Sequence, residues 1–444
     1  MTRAPSPSTG VQVAITRIDA DGAGIGRVGD DEYVVPGAFP GERVVATPLV
    51  RSRHHARVHA RLEQVVAPAP GRVRAPCERH PSRGGRCTGC PLLELDLESQ
   101  RRAKLDALRA LGLDADRIEG SAFAAGYRRS AKRVVFRRGG ALALGSFERR
   151  SHRPADMRGC AIDHPLLSRA ADAVADEATR LGVEPWDERS ARGELEAVWL
   201  RTDGARVLVT LVTRQPDARF AALARALLGR GGIVGVAASR RDATDNSLRG
   251  EPARALAGDA TLECELAGIR QRLGPLGFLQ PHPEIAERAY RDLLLTERGE
   301  PLSGNEAWDL YAGAGVTTRL LSARFARVLP CESYPESAAA LGVEAQSVEQ
   351  FLGERLAEGR RAPTLIVANP PRAGLGEAVC DRLARTGARR ITVMSCGPAA
   401  LARDLERLER GGYARCGVRA YDTLPGTAHV EVVVWLASGA SPAP

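Results

Sequence analysis

A chain of 444 residues exceeds what one ordinary hydrophobic core holds, so two or three domains are expected. Its 44% hydrophobic content is normal for a soluble globular protein, and no apolar run reaches the roughly 18 residues that would span a membrane as a helix. The net charge of +9 is unevenly spread: residues 1–160 carry 28 Lys and Arg against 17 Asp and Glu, an excess of 11, which leaves the remainder near −2.

That asymmetry suits a polyanion-facing front end on a neutral body, and makes nucleic acid the expected partner. No membrane and no obligate protein partner is called for. Residues 1–10 are polar and lack the apolar core of a signal peptide, so cytoplasm is the expected compartment. Val11, Val13 and Ile15 then alternate into the Gly-rich turn Asp21–Gly26, and Tyr33–Val35 and Arg43–Ala46 read as further strands. Basic runs lie at Arg51–Arg57 and Arg128–Arg133. The first run of short strands resembles the TRAM domain, a small OB-like β-barrel appended to many RNA-modifying enzymes. That resemblance implies an RNA-binding domain over residues 1–66.

Residues 67–276 read as a central mixed α/β domain marked by cysteines. Val134–Phe136 and Arg206–Leu211 are expected strands, and Leu166–Leu181 an amphipathic helix. Nine cysteines in a reducing compartment argue against a disulfide scaffold. Cys77, Cys87 and Cys90 cluster, with Cys160 a fourth candidate. Four thiolates suit either a structural zinc or an iron–sulfur cluster. The close pair is not repeated as in a zinc ribbon, and the tight three-cysteine spacing of radical S-adenosylmethionine enzymes is not met.

Residues 277–444 alternate strands and helices, as a doubly wound parallel sheet would. Trp308–Tyr311 enters the turn Ala312–Gly315, ahead of a helix expected over Val316–Phe325. Val328–Glu332 reads as a second strand ending in an acid, where a carboxylate can accept ribose hydroxyls. Only 31 residues separate Glu332 from Thr364, so the helix and third strand expected between them must be short. Thr364–Ala368 is a buried-type strand running into Asn369-Pro370-Pro371-Arg372. Near the end, Cys396 follows the strand-like Ile391–Val393, and Glu431 lies in a strand expected over His429–Trp435. A thiol can add to an electron-poor ring and a carboxylate can remove a ring proton. Together they suit methylation at carbon 5 of a pyrimidine.

The order of barrel, cysteine cluster and C-terminal Met394-Ser395-Cys396-Gly397-Pro398 and His429-Val430-Glu431 runs resembles the RNA uracil-5 methyltransferase family, from about Val11 to Trp435. The resemblance implies a Rossmann-like, doubly wound methyltransferase domain that uses S-adenosylmethionine on a uridine of ribosomal or transfer RNA. It implies Cys396 as nucleophile and Glu431 as base. Gln280, Tyr311, Glu332 and Asn369 would contact S-adenosylmethionine, and Cys77, Cys87, Cys90 and Cys160 would hold a [4Fe–4S] cluster. Family members usually have Asp where this chain has Asn369, and often Asn where it has Val316 or His282. Nine residues separate Cys77 from Cys87, a longer interval than usual. Asn369, Val316 and the short stretch after Glu332 leave open an alternative, an RNA-binding protein of the same fold with impaired cofactor affinity.

Overall fold

The alternation at Val11–Ile15 builds the first strand of a closed barrel in the computed structural model, which describes residues 10–439 except 54–55, 215–217, 243–247 and 360. The polar start over residues 1–9, and His54 and His55 of the first basic run, lie outside the described residues. Strands β1 (Val11–Ile18), β2 (Gly24–Val28), β3 (Asp31–Val35), β4 (Arg43–Arg51) and β5 (Arg57–Ala67) close in the order β1-β2-β3-β5-β4. Every second residue of β1 points inward, so Val13 and Ile15 meet Tyr33, Val35, Val44 and Val58 in the barrel core. Buried Glu42 accepts from Phe39 N and pairs with Arg72 at 2.9 Å, which ties the following segment to the barrel.

Helix α1 (Leu97–Arg109) starts at Asp96, whose side chain accepts from Ser99 N, and leads to the short strand β6 (Ile118–Gly120). A seven-stranded sheet follows, formed by β7 (Ser130–Arg138), β8 (Ala141–Phe147), β9 (Pro154–Asp156), β10 (Leu195–Thr202), β11 (Val207–Thr213), β12 (Ile233–Arg240) and β13 (Arg254–Gly258). Strands β10 and β11 are buried throughout. Helices α2 (Pro165–Arg180) and α3 (Ala218–Leu227) contribute to the core on one face, while Leu276 packs with Trp199 and Val212 on the other. The hairpin β14 (Leu262–Leu266) and β15 (Ile269–Leu273) then reaches the last unit: Leu266 packs with Ile285 and Val367.

The last unit has helix α4 (Pro283–Asp292) and strands β16 (Gly304–Leu310), β17 (Phe325–Cys331), β18 (Leu365–Ala368), β19 (Arg390–Ser395), β20 (Tyr413–Asp422) and β21 (Glu431–Ser438). Its sheet runs β17-β16-β18-β19-β21-β20-β6. The first four strands are parallel, and β21 lies antiparallel between β19 and β20. Helix α5 (Val316–Ser322) connects β16 to β17. The expected helix over Val316–Phe325 stops at Ser322 because Phe325 already pairs with Gly304 as the first residue of β17. Between Glu332 and Thr364 the expected short third strand is absent among the described residues. Two helices stand there, α6 (Pro335–Leu341) and α7 (Val348–Ala357), the second opened by a Ser347/Gln350 capping box. β17 therefore forms the sheet edge. The opposite edge is supplied by β6, from within the segment 67–276, which pairs parallel to β20. Helices α8 (Glu377–Arg385) and α9 (Pro398–Arg410) bury Val379, Leu383, Leu401 and Leu405 against the same core.

Candidate active site

The strand β16 connects outward to β17, and the chain then returns across β16 to β18. The parallel sheet thus changes direction between β16 and β18, where a crevice opens at the strands' carboxyl ends. Tyr311 leaves β16 at that point with φ 61°, a left-handed conformation uncommon for a non-glycine residue. Gly313, at φ 55°, has open space where a side chain would stand, so backbone there can approach a ligand closely. Glu332 follows β17 and accepts from Gly313 N at 2.8 Å and from Tyr334 N at 2.6 Å. Each carboxylate oxygen keeps a further lone pair for a ligand hydroxyl.

Asn369 follows β18, and its amide donates to the Tyr290 hydroxyl at 3.4 Å. Gln280 is buried and donates to the same hydroxyl at 3.4 Å. Tyr290, on α4, is thus the joint between two residues expected to act together, and the sequence reading missed it. Burial pushes its hydroxyl up to about 12, with Glu431 and Asp309 adding to the rise, so it stays a neutral hydrogen-bonding group. Asp309, on β16, is raised to about 7 by burial, against a Thr318 hydrogen bond. Val316, the first residue of α5, lies buried in the core.

Two strands over, Ser395 of β19 pairs with Val432 of β21. Because the strands run antiparallel, the next residue of one, Cys396, stands opposite the preceding residue of the other, Glu431. The strand begins at Glu431 rather than at His429 because His429 N bonds to Thr427 Oγ1 inside the preceding loop. Burial raises the Glu431 carboxyl to about 7, against the pull of Arg372. Burial also raises the Cys396 thiol, and Glu431 adds to that rise while Arg372 opposes it. Arg372 is the cation that favours both the thiolate and the carboxylate. It also reaches His429 Nε2 at 3.5 Å, and after burial it is the main cause that holds His429 down at about 4, hence neutral.

Cys77, Cys87, Cys90 and Cys160 line one cavity of about 110 Å³, together with His80, Arg128, Lys132 and Arg133. Cys90 is pushed up to about 12, first by burial and then by the nearby sulfurs of Cys160, Cys87 and Cys77, while Arg128 opposes the shift. Among the described residues no three His, Cys, Asp or Glu side chains stand close enough to hold one metal ion. Neither metal reading made from the cysteine spacing, zinc or cluster, is therefore supported by this arrangement. At Zn–S distances near 2.3 Å all four sulfurs would have to converge on one point. No helix among the described residues is long and apolar enough to cross a membrane.

A doubly wound α/β domain with a crevice at its topological switch point, and a thiol and a carboxylate at the same end of its sheet, has the architecture of an S-adenosylmethionine-dependent methyltransferase domain. Residues 269–439 match the family model for tRNA (uracil-5-)-methyltransferases. The chain is 30% identical to an RNA methyltransferase of Geobacter sulfurreducens over 97% of this chain and 91% of that one. It is 31% identical to an RNA methyltransferase of Gloeobacter violaceus over 96% of both chains. The chain belongs to the RNA uracil-5 methyltransferase family. Its fold is similar to the crystal structure of a Pyrococcus abyssi tRNA (uracil-54, C5)-methyltransferase in complex with S-adenosyl-L-homocysteine. That likeness has a TM-score of 0.74 at 20% identity, and covers 96% of this chain and 99% of the other.

Proposed function

We propose that this protein methylates carbon 5 of an unpaired uridine in a structured RNA loop, ribosomal or transfer, with S-adenosylmethionine as methyl donor. The observation that carries the proposal is the register of β19 against β21, which sets Cys396 and Glu431 side by side. When bound, S-adenosylmethionine supplies an electrophilic methyl group on its sulfonium. The open backbone at Gly313 and the polar set Gln280, Tyr311, Glu332 and Asn369 fit such a ligand, with Tyr290 holding the two amides in place.

Cys396 attacks as the thiolate, and Arg372 beside it favours that charged form. A sulfur–carbon bond forms at carbon 6 and makes carbon 5 an enolate carbon that can accept the methyl group. Glu431 then removes the proton from carbon 5. The electron pair restores the double bond between carbons 5 and 6, and the sulfur leaves as thiolate. The target base must be turned out of any stack to reach the thiol. The basic excess of the first 160 residues supports the barrel and central domain as the RNA-binding face.

The resemblance assigns the four cysteines a [4Fe–4S] cluster, and they line one cavity with Arg128, Lys132 and Arg133, which would offset the charge of four thiolates. Their role is to hold the cluster.

The test is incubation with S-adenosylmethionine and RNA carrying 5-fluorouridine. Fluorine cannot leave as a proton does, so an adduct that survives denaturation should form with the wild type and be absent with Cys396→Ala. An undiminished adduct in the variant would remove the proposed nucleophile.

A further inference from the structure

The loop that carries Glu431 is held by the front half of the chain. Gly426 N donates to Gln100 Oε1 at 2.7 Å, and Gly426 O accepts from Leu92 N at 2.9 Å. Pro425 O accepts from the Tyr127 hydroxyl at 2.9 Å. Lys104 is fully buried; its ammonium bonds Asp422 at 2.5 Å and reaches Leu424 O at 3.4 Å. Ala428 packs against Ile18 and Phe39 of the barrel segment and against Leu92, Leu95 and Ala103. Gly426 has φ +83°, and a side chain on it would press on Leu93 at 3.1 Å and on Cys90. Three separate regions (barrel, cysteine segment and α1) therefore converge on the turn that runs from Asp422 to Glu431.

Gln100 is the centre of this arrangement. Its other amide end donates to Leu95 O at 2.8 Å, so both ends of the side chain are fixed. A long polar side chain buried on a helix and satisfied at both ends orients what it touches. What it touches is the backbone of the loop five residues before Glu431.

Resting on the mechanism proposed above, we infer that Gln100, with Lys104 and Leu92, is a positioning residue for the proton-abstraction step. The clamp sets where the Glu431 carboxylate stands relative to carbon 5, and reaches the Cys396 side only indirectly, through the His429 contact with Arg372 at 3.5 Å. Cys396 follows β19 and Arg372 follows β18, and neither is among the bonds of Gln100 above. The front half of the chain thereby controls one chemical step as well as binding RNA.

The step sequence provides a readout that general destabilisation would not mimic. With 5-fluorouridine RNA, the sulfur–carbon bond forms and the methyl group arrives before any base is needed. With uridine carrying tritium at carbon 5, release of tritium needs Glu431. Gln100→Met keeps the size of the side chain and removes both hydrogen bonds. The expected result is tritium release slowed about tenfold or more, fluorouridine adduct formation changed far less than that at the same pH, and adduct accumulating on ordinary uridine RNA. Unchanged tritium release would overturn the inference. So would a parallel loss of adduct formation and release, since that is what simple unfolding produces. If the wild type formed no adduct, the mechanism beneath the inference would fall, and the assigned role with it.

Discussion

Replacing Glu431 by Gln should make the protein more stable in alkaline solution and leave its stability in acid almost unchanged. The carboxyl is raised from its ordinary 4.5 to about 7, chiefly by burial. The folded state therefore holds this proton more tightly than the unfolded chain does. Stability from this group is complete below pH 4.5 and falls as pH rises toward 7, because the native site must then carry a buried charge. At about 1.4 kcal/mol per tenfold in proton affinity, the full cost is roughly 3 kcal/mol. Glu431 keeps partial contact with solvent, which screens the charge and brings the working figure to about 2 kcal/mol. Gln carries no charge at either pH, so Glu431→Gln should gain about 2 kcal/mol on the wild type at pH 8.5 relative to the difference between them at pH 5. Urea denaturation of both proteins at the two pH values measures this directly. A difference between variant and wild type that is the same at pH 5 and pH 8.5 would refute the assignment of a strained, buried carboxylate.

Glu431→Gln should also shift adduct formation with fluorouridine RNA toward lower pH, because the negative charge that helps raise the Cys396 thiol is gone; a pH series of adduct rates reads this. Arg372→Met should do the opposite, slowing adduct formation and moving it to higher pH, as the cation that favours the thiolate is removed. In the wild type, turnover should rise with pH through about 7 as Glu431 ionises, and steady-state rates across pH 5.5–8.5 check it. Anaerobic purification should return iron and sulfide in equal amounts if the four cysteines hold a [4Fe–4S] cluster, and Cys90→Ser should lower both; stoichiometric zinc would contradict the cluster.

Much of the candidate site was legible because its determinants are local. The alternation at Val13 and Ile15 marks a half-buried strand, and the apolar run Leu365–Ala368 marks a strand buried on both faces. Cys396 and Glu431 each sit at a boundary between an apolar strand and a Gly-containing loop, so their convergence at one end of the sheet could be expected. The third strand failed for a local reason too: Pro335–Leu341 is rich in alanine without a β-branched run, and Ser347 with Gln350 caps a second helix. The pairing of β6 with β20 was beyond reach, since three residues far from their partner carry no periodicity. Tyr290 and Gln100 were hidden differently. Each is a polar residue on the buried face of an amphipathic helix, which normally reads as a tolerated exception. A second polar residue one turn away, Lys104 after Gln100, was the signal that could have been noticed.

The central claim is that this chain places a methyl group on carbon 5 of a uridine in RNA through Cys396. The most direct measurement is mass analysis of nucleosides from unmodified RNA incubated with the protein and isotopically labelled S-adenosylmethionine. Labelled 5-methyluridine is expected with the wild type and none with Cys396→Ala. Label on another atom or another base, or 5-methyluridine formed equally well by the variant, would contradict it.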